Sequence, residues 1–89
     1  MKIVFTKHAR KKFSDLARIG VKVSQKALID VVKSPEHVDR ESDYPKLIAS
    51  RSTDLKHIIR VVFKIKNDII TIITFYPARK GRYYVKETN

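Results

Sequence analysis

The stretch LKHIIRVVFKIKNDIITIITFY, residues 55–76, decides the fold of this chain. Apolar and polar residues alternate over residues 55–66, which is the two-residue period of a β-strand with one buried face. Asn67-Asp68 is a favourable two-residue hairpin loop, and the nearly continuous apolar run at residues 69–76 predicts a strand covered on both faces. The loop length sets a register that pairs Lys66 with Ile69, Lys64 with Thr71, Val62 with Ile73 and Arg60 with Phe75.

Two helices and further strands are predicted around this hairpin. Apolar residues recur at helical spacing after Thr6, the expected N-cap, and Gly20 supplies a left-handed cap at the end of that helix. Ser24 is the expected N-cap of the second helix, which Pro35 stops. The predicted elements are a strand at residues 3–5, helices at 6–19 and 24–34, and strands at 37–41, 46–51, 55–66 and 69–76, with Pro77 ending the pairing of the last and a further short strand at 82–85.

These elements define an α+β fold in a single domain, residues 1–89. The short N-terminal strand is followed by a two-helix hairpin that packs on one face of an antiparallel sheet of about four strands. Leu55 and Tyr76 are expected on the face that the helices cover. Arg60 and Lys64 are expected on the opposite face beside Phe75, unless a one-residue slip exchanges the two faces. A basic residue next to an aromatic ring on an uncovered sheet suits a phosphate backbone and a stacked base.

The composition narrows the classes of function. The chain has no cysteine, which excludes a disulfide framework, a thiolate nucleophile and a zinc–thiolate site. No apolar run reaches the roughly 18 residues of a membrane span and no signal-peptide core is present, so a cytoplasmic protein is expected. The formal net charge of +11 predicts an anionic partner, nucleic acid ahead of a membrane surface or an acidic protein.

The positive charge is concentrated in two segments. Residues 1–20 carry six basic and one acidic residue, and residues 46–89 carry ten and three. Residues 21–45, with four basic and five acidic residues, are almost neutral. Two basic segments on either side of a neutral one are suited to flanking one strand of RNA.

Three parts of the sequence contain candidate catalytic or nucleic-acid-binding residues. Arg60 interrupts an apolar run, and it either lies on a solvated face paired with an acid or holds a phosphate and stabilises charge developing on it. His8 is a candidate acid or base at the start of the first helix, where exposed histidines without such a role are common. The third part is a basic and aromatic cluster after Pro77, which contains Arg79, Lys80, Arg82, Tyr83 and Tyr84. This cluster either binds nucleic acid or is a solvated tail whose aromatic rings fold back and pack against the domain.

Other residue types argue against several enzyme classes. No two carboxylates pair in a strand context as a two-carboxylate or two-metal site requires, and the three histidines show no metal-ligand spacing. The two glycines cannot form a glycine-rich phosphate loop. Phosphodiester chemistry is therefore expected to need no metal ion or small-molecule cofactor, with cationic side chains stabilising the phosphorane and the RNA 2′-hydroxyl as nucleophile.

Short motifs along the chain carry a family resemblance. They are the helix start His8-Ala9, the turn Arg18-Ile19-Gly20-Val21, the helix stop Ser34-Pro35-Glu36 and the strand Thr74-Phe75-Tyr76-Pro77. Together with the order of elements and the placement of Arg60, Arg79 and Tyr83, they make nearly the whole chain resemble the RelE/ParE-type toxin superfamily. The opening of the chain is more similar to a small, uncharacterised branch of that group, whose members have a His-Ala start to the first helix. The resemblance implies a translation-linked mRNA endonuclease neutralised by an antitoxin encoded beside it.

The resemblance also implies roles for individual residues. Arg60 and Arg79 match the arginines that hold the scissile phosphate, while Tyr83 or Tyr84 matches a C-terminal tyrosine loosely, and His8 matches the histidine of the branch. Lys56 and Arg51 are approximate equivalents of strand lysines. ParE-like members of the same fold act on gyrase rather than RNA, so the fold does not settle the activity.

The leading hypothesis is a toxin-like, metal-free endoribonuclease, an mRNA interferase. Its expected partners are RNA, including ribosome-bound mRNA, and a cognate acidic antitoxin, with no membrane partner. The expected catalytic residues are Arg60, Arg79, Tyr83 and His8, and the expected nucleic-acid contacts are Lys11, Arg18, Arg51, Lys56, Lys64, Lys80, Arg82 and Tyr84. The alternatives are a non-catalytic RNA- or ribosome-binding module and a ParE-like inhibitor of a nucleic-acid enzyme.

Overall fold

The computed structural model describes residues 1–79, so the strand predicted at residues 82–85 lies outside the described part. The elements are β1 (Lys2–Phe5), α1 (Lys7–Arg18), α2 (Gln25–Lys33), β2 (His37–Asp39), β3 (Leu47–Ser52), β4 (His57–Lys66) and β5 (Ile69–Arg79). The α+β class, the short first strand and the two helices are confirmed.

The two helices begin and end where local side-chain chemistry predicts. The hydroxyls of Thr6 and Ser24 accept the backbone N–H groups of Ala9 and Ala27, each at 3.1 Å, and so cap α1 and α2. Gly20 follows α1 with φ +85°, a conformation that side chains other than glycine seldom adopt. Both helix bounds therefore follow from residues within or next to the helices themselves.

The sheet has five strands in the order β1-β5-β4-β3-β2. β1 pairs with β5 in parallel, whereas the other neighbours are antiparallel. The prediction of about four antiparallel strands is therefore wrong both in number and in direction. The apolar pattern of β1 is too short to specify a partner, and its partner β5 lies more than sixty residues further along the chain.

The hairpin between β4 and β5 has the predicted loop. Asn67 and Asp68 both have positive φ, 53° and 63°, as a type I′ turn requires. Next to this turn, Lys66 pairs with Ile69 and Lys64 with Thr71, as predicted.

A bulge then shifts the register between Val62 and Phe63. Beyond it Val62 pairs with Thr74 and Arg60 with Tyr76, so the predicted pairs Val62–Ile73 and Arg60–Phe75 are wrong. The one-residue shift turns Phe75 from the expected open face into the core, where its ring is fully buried.

Strand bounds differ from the prediction by two or three residues at three ends. β2 stops at Asp39, and β4 begins at His57, which leaves Leu55 91% exposed instead of on the core face. β5 continues through Pro77 to Arg79. Because β1 pairs with β5 only as far as Ile72, β5 is an edge strand at Pro77, where a missing N–H is tolerated.

The core lies between the helices and one face of the sheet. α1 packs mainly on β5, and α2 on β4 and β3. The buried residues of this core are Ala9, Leu28, Val31, Ala49, Ile59, Val61, Phe63, Ile70, Ile72 and Phe75. Since successive strand residues point to opposite faces, the neighbours of these residues face away from the helices, and five of them are also buried: Ile48, Ser50, Ile58, Arg60 and Val62.

Candidate nucleic-acid interface

The start of α1 is fixed to β5 at the point where the pairing of β5 with β1 ends. The Thr6 N–H donates to the carbonyl oxygen of Ile72 at 3.0 Å, and the Thr6 hydroxyl donates to that of Ile73 at 2.9 Å. The same hydroxyl accepts from Ala9 as the helix cap. Thr6 thus joins the first turn of α1 to the bulged segment of β5, and so determines which side chains meet there.

Two basic side chains of α1 converge on one threonine of β5. His8 Nε2 lies 3.2 Å from Thr74 Oγ1, and Lys12 Nζ donates to the same oxygen at 3.4 Å. His8 and Lys12 are four residues apart, so they lie on one helix face in consecutive turns. His8 is exposed and Lys12 is half-buried, which leaves the imidazole accessible to a ligand.

Tyr76 connects this pair to Arg60. Arg60 Nε donates to the Tyr76 hydroxyl at 3.1 Å, and Arg60 Cζ lies 5.8 Å from the centre of the tyrosine ring. Lys12 Nζ lies 5.7 Å from the centre of the same ring. Two cations therefore contact one phenol. We call the set His8, Lys12, Arg60, Thr74 and Tyr76 the tyrosine cluster.

Arg60 also belongs to a row of side chains that crosses four strands. His37 pairs with Ser50, Ser50 with Arg60, and Arg60 with Tyr76, so all four point to the sheet face away from the helices. Arg60 is only 8% exposed, so it is not the solvated arginine that one sequence interpretation expected. The hydroxyl of Ser50 is fully buried and makes no hydrogen bond within residues 1–79.

Asp39 supplies a negative charge near Arg60. Hydrogen bonds from the side chain and backbone of Ser42, then from the backbone of Glu41, lower the pKa of Asp39 from 3.8 to about 2, and the charge of Arg60 contributes. The carboxylate accepts both backbone N–H groups at 2.9 and 3.0 Å, which fixes it in the turn after β2. At neutral pH Asp39 is therefore an immobilised anion that partly offsets the charge of Arg60.

Arg79 occupies a different place from Arg60. It pairs with His57 at the far end of β4, three residues beyond Tyr76, which corresponds to about 10 Å along the strand. The odd number of residues also puts Arg79 on the opposite face from Tyr76. The structure therefore does not bring the two predicted phosphate-binding arginines together.

A groove on the helix side contains Arg79. It is lined by apolar residues of the α1–α2 connection and of β4 and β5, and its polar members include Lys22, Asp54, His57 and Arg79. Asp54 accepts the backbone N–H of Lys56 and contacts the His57 ring, and these hydrogen bonds lower its pKa. The His57–Asp54 contact organises the turn before β4.

The other predicted nucleic-acid contacts are dispersed over the molecule. Lys11 pairs with Asp15 on the outer face of α1, and Arg51 donates to the carbonyl oxygen of Ser34 at the end of α2. Arg18 lies in the last turn of α1, Lys56 in the turn before β4, and Lys64 near the β4–β5 hairpin loop. Lys80, Arg82, Tyr83 and Tyr84 lie outside the described residues.

Sequence reasoning missed three members of the tyrosine cluster: Lys12, Thr74 and Tyr76. The helical spacing of His8 and Lys12 contained the signal for Lys12, because residues four apart lie together on a helix surface. The positions of Thr74 and Tyr76 depend on the bulge in β5. Under the unbulged register, Tyr76 was expected on the helix side of the sheet and away from Arg60.

No protein-family model, curated protein or solved structure matches this chain. Within residues 1–79, no three histidine, aspartate or glutamate side chains converge as metal ligands. None of the helices described is long and apolar enough to cross a membrane. The chemistry of the tyrosine cluster is therefore the main guide to function.

Proposed function

We propose that this protein is a metal-free endoribonuclease whose active site is the tyrosine cluster. The observation that carries the proposal is the contact of Lys12 and Arg60 with one tyrosine, next to the exposed His8. Cations stabilise a phosphodiester as negative charge develops on it, and a histidine and a phenol are groups that exchange protons. The same proposal includes a RelE-like fold and a role for the protein as the cytoplasmic toxin of a toxin–antitoxin pair.

In this proposal, four of the five residues in the cluster take part in the reaction. The ribose 2′-hydroxyl attacks the adjacent phosphorus, so that the 2′-oxygen–phosphorus bond forms and the bond to the 5′-oxygen breaks. His8 accepts the proton of the 2′-hydroxyl, and the Tyr76 hydroxyl donates one to the departing 5′-oxygen. Arg60, which hydrogen-bonds to the Tyr76 hydroxyl, stabilises the phosphorane and the phenolate, and Lys12 adds a second positive charge at the tyrosine ring. The products are a 2′,3′-cyclic phosphate and a 5′-hydroxyl, and the proton on His8 returns to Tyr76 through water.

These roles retain part of the sequence hypothesis. Arg60 and His8 keep their expected functions, while Lys12 replaces Arg79 as the second cation, because Arg79 lies on the other face of the sheet. Tyr76 takes the role expected of Tyr83. An antitoxin that neutralises such an enzyme must be acidic where it covers Lys12 and His8.

Cleavage assays with purified protein and single-stranded RNA, with and without translating ribosomes, test the proposal. His8→Ala and Tyr76→Phe are each expected to slow cleavage about 10²-fold or more, as for the loss of a general acid or base. Tyr44→Phe is the matched control, because Tyr44 is exposed in the turn before β3. Intact RNA under all conditions, and no new 5′-hydroxyl ends after induced expression, would refute the proposal.

A non-catalytic RNA-binding module is the second candidate function. It is favoured by the burial of Arg60 and by the nearby anion Asp39, since both suit an arginine that organises the sheet. Such a module binds RNA with an affinity that falls steeply with salt. Binding without cleavage, together with wild-type affinity in Tyr76→Phe, would identify it.

A further inference from the structure

The two cations of the tyrosine cluster approach Tyr76 from different elements. Lys12 reaches the ring from α1, and Arg60 reaches it from β4. Each charged group lies less than 6 Å from the ring centre, at 5.7 and 5.8 Å, so the two are separated by at most about twice that distance. Lys12 also lies 5.8 Å from the ring of Phe75 and is held over this part of β5 by Thr74.

Building on the endoribonuclease activity proposed above, we infer that Lys12 and Arg60 bind two consecutive phosphates of one RNA strand, one on each side of the nucleoside placed at Tyr76. Two phosphates joined through a single ribose can span the distance between Lys12 Nζ and the Arg60 guanidinium. The substrate class is therefore a single-stranded oligoribonucleotide with at least two phosphates, and a dinucleoside monophosphate fills only half of the site.

The electrostatic surroundings of Lys12 and Arg60 indicate that the two cations contribute unequally to phosphate binding. Arg60 is buried and has the fixed anion Asp39 nearby, which reduces its attraction for a phosphate. Lys12 is half-buried and forms no salt bridge within residues 1–79, so no carboxylate among these residues neutralises its charge. The Lys12 position therefore supplies the larger, salt-sensitive part of the binding, while Arg60 with its planar, fixed geometry sets the register.

Short RNAs of defined phosphate content separate this inference from the proposed activity. The probes carry a 2′-deoxyribose at the cleavage position, which prevents cleavage, and contain either one phosphate or two. A further set replaces each phosphate in turn by a neutral methylphosphonate. We expect the second phosphate to tighten binding about tenfold in the wild-type protein, as for one charge-assisted contact, and this gain to disappear in Lys12→Ala.

The salt dependence provides an independent measurement. On a single strand each neutralised phosphate contributes about −0.7 to the slope of log K against log salt, so Lys12→Ala is expected to reduce the slope by about 0.7. Lys26→Ala is the control, because Lys26 is an exposed helical lysine paired with Asp30 on α2. It should retain both the tenfold gain and the full slope.

The outcomes distinguish the two proposals. RNA cleavage with equal binding of the one-phosphate and two-phosphate probes overturns the inference and leaves the activity intact. A two-phosphate dependence that Lys12→Ala abolishes, without any cleavage of ribose-containing RNA, supports the inference and refutes the activity. A protein that binds none of the probes refutes both.

Discussion

Replacement of Asp39 by asparagine tests the charge arrangement around Arg60. The asparagine side-chain oxygen still accepts the N–H groups of Glu41 and Ser42, so Asp39→Asn removes the charge and keeps the shape of the turn. The pKa of Asp39 falls from 3.8 to about 2 on folding. At about 1.4 kcal/mol per unit, this shift corresponds to at most about 2.5 kcal/mol. Asp39 is only half-buried, and solvent screening reduces the expected value to about 1 kcal/mol.

The sign of the pH dependence follows from the direction of the shift. Because the folded-state pKa lies below the unfolded one, the ionised carboxylate stabilises the fold above about pH 4, and this contribution is lost as the pH falls towards 2. Asp39→Asn should therefore be about 1 kcal/mol less stable than wild type at pH 7, and most of this difference should be lost by pH 2, where the folded-state carboxyl is about half protonated. Near the melting temperature, a loss of this size lowers Tm by about 4–8 °C.

Urea unfolding followed by circular dichroism between pH 2 and 7 measures this difference. Asp43→Asn is the matched control, because Asp43 is an exposed aspartate in the same turn. A stability difference between wild type and Asp39→Asn that stays constant from pH 7 to pH 2 would refute the reasoning. The same variant should bind RNA more tightly, since it removes an anion near Arg60, and weaker binding would contradict the proposed role of that arginine.

Three other substitutions test the packing and the backbone, each by urea unfolding against wild type. Phe75→Ala should cost about 3–5 kcal/mol, because the ring is fully buried and lies 4.7 Å from that of Phe13; a loss below 1 kcal/mol would argue against the bulged register. Ser50→Ala should raise stability by about 1 kcal/mol, since it removes a buried hydroxyl without a partner among residues 1–79, and destabilisation would reveal one. Gly20→Ala should cost about 1 kcal/mol, although open space surrounds the position, because alanine is strained at φ +85°; an unchanged stability would contradict this conformation.

The parts of the fold that sequence reasoning predicted are those set by neighbouring residues. The caps Thr6, Ser24 and Gly20 act within one turn of their helices, so their chemistry can be identified from the sequence alone. The type I′ loop at Asn67-Asp68 is equally local. Register and pairing next to these features were correct for the same reason.

The bulge in β5 could not be predicted because its cause is distant in sequence. Residues 69–76 are apolar at almost every position, so their pattern does not show which side chains face the helices. The carbonyl oxygens of Ile72 and Ile73 bind Thr6, which is more than sixty residues away. This long-range contact is made at the position in β5 where the extra residue is accommodated.

The residues of the candidate site likewise fall into those that the local sequence predicts and those that depend on long-range contacts. His8 and Arg60 could be selected because their chemistry is unusual at their positions in the sequence. Tyr76 could not, since its contact with Arg60 requires the shifted register. A sequence can thus identify reactive side chains, while their assembly into a site depends on one irregularity of the sheet.

The contact between α1 and β5 has a consequence for the synthesis of this protein. His8 and Thr74 are 66 residues apart, and β1 pairs with the strand that is made last among those described. Such long-range pairing slows folding, because a large loop must close before the contacts form. A nascent chain without β5 contains no tyrosine cluster. The proposed ribonuclease would therefore be harmless to the ribosome that makes it until almost the whole domain has emerged.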